Sequence, residues 1–383
     1  MTAMWSLGMP RDWISAIAPS RRRLVTAELY RLTTTAMFRG LASTDSMVRL
    51  GLRYDPAMRP VIQRMVPVLQ LTRVTGAFSA VANVWFVIVW TRAFTEEPGT
   101  RAINERSMWV LLAGGAVAAL GLYAFGAALN DILDAKRDRT LRPNRPLAAE
   151  QISEEIAMSV VVGTLVAAIL GALFLGAEAV TLTAVAVIGV TIYNVAGKFV
   201  PAVGLPVLAV VYAGHMLAPN VKLHFVWPVW LVMTHAMLVG ALAHSMEHRV
   251  PRLSPRAVMF AIAGWAVCSA LLFWNSGTET SGRALWPAWV PKMTLVWVLV
   301  SVALFAGMCV RRIARLGFNE RAGEKVRRYG TLWPAVYACA WMAGAGKTQE
   351  AWPLIGLLVL GILGMTALRE AYALVEEPIE FRR

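Results

Sequence analysis

Residues 130–146 read NDILDAKRDRTLRPNRP and hold the densest chemistry in this chain. Carboxylates stand at Asp131, Asp134 and Asp138, spaced three and four residues apart. On a continuing helix that spacing puts all three on one face within roughly 10 Å of axial rise, and Asn130, one turn before Asp134, joins them. Arg137, Arg139, Arg142 and Arg145 follow at once. Magnesium takes carboxylates together with substrate phosphates, and guanidinium forks take the phosphate oxygens that the metal leaves over. The stretch therefore predicts a clamp for a magnesium-bridged diphosphate. A charge cluster that merely marks a membrane boundary would account for the arginines but not for three carboxylates at helical spacing, and ionisable groups at membrane depth are functional by default.

A second polar group lies at His244, Ser245, Met246, Glu247 and His248. His244 and His248, at i and i+4, are expected to share a helical face, with Glu247 nearly one turn after His244. The pattern HxxEH also matches the inverted zincin motif, but it is short, has no identifiable third ligand and lies at a membrane boundary, so a zinc protease is set aside. Two readings stay open. Glu247 with an imidazole binds a metal, with manganese or zinc tolerated alongside magnesium. Otherwise this site has no metal, and Arg249, Arg252 and Arg256 meet the phosphate charge instead. The second is favoured, because neutral imidazoles hold magnesium less well than hard anions do. His215, His224 and His235 are scattered in apolar surroundings and are expected to pack rather than to ligate. Trp227, Trp230, Trp286, Trp289 and Trp297 are expected at membrane interfaces, where some could line an apolar tunnel and steady a cation with their ring faces.

The elements that must carry these groups are membrane helices. Of 383 residues, 57% are hydrophobic and 16% charged, and the net charge is +14. Lysine and arginine gather in a few connecting stretches, as the positive-inside rule requires, and no basic run interleaved with aromatics suggests a nucleic-acid groove. Cys268, Cys309 and Cys339 are isolated and odd in number, which is neither a disulfide framework nor a cysteine metal site. The N-terminus places its basic residues after the apolar part, so a cleaved signal peptide is not expected. Residues 1–73 form a basic N-terminal region, expected to lie as helices on the anionic cytoplasmic surface. Residues 74–383 form the transmembrane domain.

Apolar runs predict spans at about 74–94, 107–130, 156–176, 179–197, 201–218, 225–244, 257–275, 289–310 and 352–374, with a short crossing or re-entrant segment at 331–346. The result is an all-α polytopic bundle of nine or ten transmembrane helices. The N-terminus and the polar loops face the cytoplasm of an inner or plasma membrane, with Arg311 to Arg328 as one more basic inner link. A coarse echo joins the halves: the second and the sixth span both exit into charged loops on the same side.

NDxxDxxxD followed by RPxRPL resembles the first aspartate-rich motif of the UbiA superfamily of intramembrane prenyltransferases. The resemblance is strongest over about 120–153 and departs at Ala148 to Glu150, where family members usually read Pro-Ser-Gly. It implies a nine-helix bundle in which magnesium, or manganese in its place, holds the diphosphate of a prenyl donor. Asp131, Asp134 and Asp138 would be the metal ligands, and Asn130, Arg142 and Arg145 the diphosphate contacts. Tyr193 and Lys198, near the inner end of the fourth span, resemble the family's Tyr and Lys element, and Arg73 in Leu71-Thr72-Arg73 its arginine near the donor site. With Asp131 and Asp134, Lys198 would be catalytic; Arg73, Tyr193 and Arg249 would bind substrate. Where the family has a second DxxxD, this chain has His244, Glu247 and His248, the candidate second set of metal ligands. The partners implied are a prenyl diphosphate, a lipophilic or aromatic acceptor of open identity, and membrane lipid, with no nucleic acid. A membrane terpene cyclase or a non-catalytic binder of prenyl-diphosphate lipid is the alternative.

Overall fold

In the computed structural model the described residues are 59–73, 76–276 and 285–376. Residues 63–383 form one compact unit and residues 1–62 another. Of the latter only 59–62, which open the first described helix, are among the described residues, so the predicted interfacial helices of the basic arm lie outside them.

The expected all-helical bundle is present. Its helices are α1 (Arg59–Leu71), α2 (Ala77–Ala93), α3 (Arg101–Glu105), α4 (Met108–Leu133), α5 (Ala135–Leu141), α6 (Glu154–Leu173), α7 (Ala177–Val195), α8 (Pro201–Leu217), α9 (Trp227–Met246), α10 (Pro255–Ser276), α11 (Thr294–Leu316), α12 (Glu320–Gly344) and α13 (Trp352–Glu376). Local chemistry sets several of their ends. Ser153 accepts a hydrogen bond from the Ile156 N–H, with Glu154 and Glu155 in the first turn of α6, and Asn319 does the same for Ala322 at the start of α12. Both are N-caps that satisfy orphan helix donors, strengthened by carboxylates at the positive end of the macrodipole.

The outer faces of the bundle are apolar and exposed. Val162, Val166 and Leu170 on α6, Phe260 and Leu271 on α10, and Leu299 and Leu304 on α11 all stand outward. A continuous apolar exterior is untenable in water and natural in lipid. Among the described residues, six helices are long and apolar enough to cross a membrane, and α2, α8 and the apolar part of α13 are shorter apolar helices. The chain is an integral membrane protein.

One predicted element differs. The segment 331–346 was expected to be a short crossing or re-entrant segment preceded by a basic loop. Instead it is the second half of α12, a 25-residue helix that begins at Glu320. The basic residues 311–328 therefore belong mostly to the ends of α11 and α12, joined by the short turn Gly317-Phe318-Asn319. The first turns of α12 are too polar for a hydropathy pattern to register them as helix.

Two close approaches position the polar groups. Helices α4 and α6 form the most extensive pair in the bundle. A Cβ added at Gly121 would lie 2.5 Å from the Ala168 nitrogen, and one at Gly171 2.3 Å from the Ala118 nitrogen, so only glycine permits that contact. Helix α12 lies against α9 in the same manner: a Cβ at Gly330 would meet the Val239 side chain at 2.6 Å, and one at Gly323 the Met246 and Glu247 side chains at 3.0–3.1 Å. Small residues at helix contacts are how membrane helices gain close packing.

Candidate functional site

Helices α2, α4, α7, α8, α9 and α12 enclose a cavity of about 390 Å³ that is charged at one end and mainly apolar along its walls. The charged end is built on the break between α4 and α5. Asp134 caps α4, and the backbone bonds Asp134 N to Asn130 O (3.0 Å) and Asp138 N to Asp134 O (2.8 Å) carry the helical spacing across the break. Asp131 and Asp138 are consequently buried together. Arg145 reaches back from the following loop and donates to Asp131 Oδ1 at 2.9 Å and to Asp138 Oδ2 at 2.6 Å. Arg73 donates to the same Asp131 oxygen at 2.5 Å. It sits between α1 and α2 at φ 47°, a conformation that non-glycine residues hold only where the surroundings impose it. Lys198, in the turn between α7 and α8, bonds Asp134 Oδ1 at 2.8 Å and Asn130 Oδ1 at 3.3 Å.

Arg137, Arg142, Arg249 and Arg327 line the same end. With Arg73, Arg145 and Lys198 they make seven cations against the carboxylates of Asp131, Asp134, Asp138 and Glu247. Burial alone would lower the Arg73 guanidinium, but the charge and hydrogen bond of Asp131, together with Tyr123 and Asp138, hold the group above its ordinary value. Arg145 is held below its ordinary value by burial, with the Arg73 charge adding to that effect against Asp131 and Asp138. A cation-rich end with fewer carboxylates than guanidiniums suits a multiply charged anion.

The second group differs from its sequence expectation. Helix α9 ends at Met246, and His248 sits at φ 49°, so His244 and His248 do not share a helical face. His244 Nε2 faces the Pro251 carbonyl at 2.8 Å, and a carbonyl only accepts, so that nitrogen carries the hydrogen. Glu247 is claimed by cations: Arg249 donates to Oε2 through Nε at 2.8 Å and Nη2 at 2.6 Å, and Arg327 Nε lies 3.1 Å from Oε1. Arg327 was not singled out in the sequence. It reaches Glu247 because Gly323 and Gly330, on either side of it in α12, allow the close approach to α9.

Among the described residues no three His, Cys, Asp or Glu side chains are already gathered as a metal site. The aspartates nevertheless supply the hard oxygens that magnesium prefers, Asp134 and Asp138 on the cavity wall and Asp131 beside them on Arg73 and Arg145, so the first group fits that metal by donor chemistry. The second brings a single carboxylate, with the His244 Nε2 already held by the Pro251 carbonyl, and so gathers fewer hard oxygens than the first.

Farther in, the walls carry Leu122, Leu205, Leu208, Val211 and Val239, with Tyr123, Tyr193 and Tyr212. None of the tryptophans that were expected to line a tunnel does so among the described residues. Trp286 and Trp289 belong instead to an aromatic cluster with Trp90, Phe94, Phe225 and Trp341 at the other end of α2. His235 packs as expected, with Nδ1 3.1 Å from the Tyr337 hydroxyl and Nε2 donating to the Gly330 carbonyl at 2.8 Å.

A family model described as the UbiA prenyltransferase family matches residues 83–331 of this chain. No curated protein matches it. Among solved structures, one described as digeranylgeranylglyceryl phosphate synthase is 18% identical, with a TM-score of 0.46 over 74% of this chain and 98% of that one. A UbiA homolog from Archaeoglobus fulgidus bound to DMAPP and Mg2+ is 13% identical, with a TM-score of 0.40 over 81% and 99%. An apo UbiA homolog from Aeropyrum pernix K1 is 17% identical, with a TM-score of 0.38 over 77% and 96%.

Proposed function

The chain belongs to the UbiA prenyltransferase family, whose model matches more than half of its length, and from that premise we propose that it transfers an isoprenoid group from a prenyl diphosphate to a lipophilic acceptor. The observation that carries this reading is the convergence of three aspartates and seven cations at one end of a cavity whose other walls are largely apolar.

Asp131, Asp134 and Asp138 would hold magnesium, which when bound supplies Lewis-acid neutralisation of the diphosphate. Arg73 and Arg145 exchange their carboxylate partners for phosphate oxygens once the donor enters, and Lys198 and Arg142 add charge beside them. Arg249 and Arg327 serve the facing wall, held in place by Glu247. The bond between the allylic carbon and the diphosphate oxygen breaks, its electron pair leaves with the diphosphate, and the guanidiniums stabilise the charge as it develops. Leu122, Leu205 and Val239 exclude water from the allylic cation, and the tyrosine ring faces steady it. The acceptor's nucleophilic atom then bonds to that carbon and gives up a proton. By the positive-inside rule the charged end faces the cytoplasm of an inner or plasma membrane.

The test is diphosphate release from purified protein given farnesyl or geranylgeranyl diphosphate and magnesium. Release with a prenylated acceptor supports transfer, and release with a hydrocarbon product makes the protein a cyclase. Magnesium-dependent binding without turnover makes it a non-catalytic binder, the second reading, which the occupation of Glu247 by Arg249 and Arg327 favours. Full turnover in both Asp131→Asn and Asp134→Asn would overturn the assignment of the aspartates.

A further inference from the structure

Beyond the charged end, two side chains lining the cavity keep hydrogen-bonding atoms that no described residue meets. Asn83 on α2 is 1% exposed and its amide Nδ2 has no partner; His215 on α8 is 7% exposed and its Nε2 has none. Leaving such an atom buried and unpaired costs about 1–3 kcal/mol, so a fold that keeps two at one cavity has a use for them.

The two are neighbours. The His215 ring lies against the backbone at Ala80, which is three residues and so one turn from Asn83 on the same helix, and all three residues line the cavity. The unpaired Nε2 is a donor or an acceptor according to the ring tautomer. His235, with both nitrogens engaged, shows what a structural histidine looks like in the same bundle.

Asn83 thus offers a donor, and His215 a donor or an acceptor, from adjoining walls. A hydroxyl satisfies both at once in either tautomer, its oxygen accepting from Asn83 while it donates to His215 or accepts from it with its second lone pair. A hydrocarbon satisfies neither. We propose that Asn83 and His215 form a hydroxyl-binding subsite in the membrane-embedded part of the cavity, for a lipophilic alcohol or phenol. This rests on the proposed function only in that the ligand shares the cavity with a prenyl diphosphate. Asn83 stands six residues beyond Ala77 in α2, about 9 Å of helix rise from the end beside Asp131. There the pair lies deeper in the cavity than the diphosphate end and binds and orients a ligand. The hydroxyl belongs either to a separate acceptor or to the distal end of the donor's own chain.

The experiment measures equilibrium binding to the full chain in lipid nanodiscs with magnesium, using two matched pairs of probes. One pair is farnesyl thiolodiphosphate and the same compound hydroxylated at its distal end; the other is 4-octylphenol and octylbenzene. At least one hydroxylated probe is expected to bind about tenfold or more tighter than its match. The pair that shows the preference identifies the source of the hydroxyl. Asn83→Leu and His215→Phe should each erase it while leaving plain farnesyl thiolodiphosphate within about twofold, since no diphosphate contact is touched. The double variant should also unfold at a higher temperature than the native protein, because apolar side chains replace two unpaired polar ones. Equal binding of both members of each pair to the native protein overturns the proposal, and so does a destabilised double variant that loses every probe. If neither diphosphate binds while 4-octylphenol keeps its preference, the donor reading fails and the subsite stands.

Discussion

Asp131 lies beside the start of α2 and Glu97 just past its end, about 25 Å apart along a 17-residue helix, and each is 4% exposed. Their partners differ in kind. Asp131 is met by the guanidiniums of Arg73 and Arg145, long side chains at the edge of a cavity. Glu97 accepts hydrogen bonds from the backbone N–H groups of His224 and Phe225. Around it Trp90 stacks on Phe225 at 5.1 Å between ring centroids, and Asn220 ties the neighbouring loops through Thr91 Oγ1 at 3.1 Å and the Pro98 carbonyl at 2.6 Å. Backbone donors cannot turn to a ligand, whereas guanidiniums can exchange one anion for another. The same degree of burial therefore accompanies exchangeable side-chain partners at the proposed binding end and fixed backbone partners at the other.

The largest expected contrast comes from Asp131→Asn. Magnesium-dependent diphosphate release should fall about a thousandfold, the size of effect seen when one charge-stabilising group is removed, with the thermal midpoint nearly unchanged. A loss of folding with preserved turnover per folded molecule would erase the distinction between the two ends. Glu97→Gln should behave in the opposite way, sparing turnover and altering stability with pH. Burial pushes the Glu97 carboxyl up from 4.5 to about 7, against the pull of the His224 and Phe225 N–H groups. The folded state thus holds a proton that the unfolded state has released between those values. Stability from this group is full below about pH 4.5, falls by about 3 kcal/mol as pH rises to about 7, and is flat above. Thermal unfolding followed by tryptophan fluorescence across that range should show the slope in the native protein and lose it in Glu97→Gln. Asn220→Ala, at the same end, should cost about 2 kcal/mol at every pH by leaving its buried partners unpaired, which the same melts would report. Arg327→Ala should raise KM for the prenyl diphosphate about tenfold, with the magnesium requirement intact. An equal loss of magnesium dependence would place a metal at Glu247 after all.

The aspartate cluster was legible in the sequence because it is local: spacing within two helical turns already brings Asp131 and Asp138 together, and the helix break at Asp134 does not undo it. Arg145 followed from its place in the adjoining loop. Arg327 had no comparable signal. It lies in a basic stretch that hydropathy reads as a link, and its contact with Glu247 depends on how closely two helices distant in sequence approach. The histidines at 244 and 248 misled for a related reason, since periodicity continues on paper past Met246 whereas the backbone turns at His248. Tryptophan content predicted interface anchors and said nothing of a cluster assembled from α2, α12 and the loops at their ends. Asn83 and His215 carry no sequence motif, and only their missing partners distinguish them.

Helix α12 runs from Arg327 at the charged end to Trp341 in the aromatic cluster, with Gly323 and Gly330 pressed against α9. One residue gained or lost between Gly330 and Trp341 would turn everything beyond it by about 100°. Over evolutionary time the surface loops can therefore lengthen or shorten while this helix keeps its count, and a length variant that preserves both ends should carry its insertion outside α12.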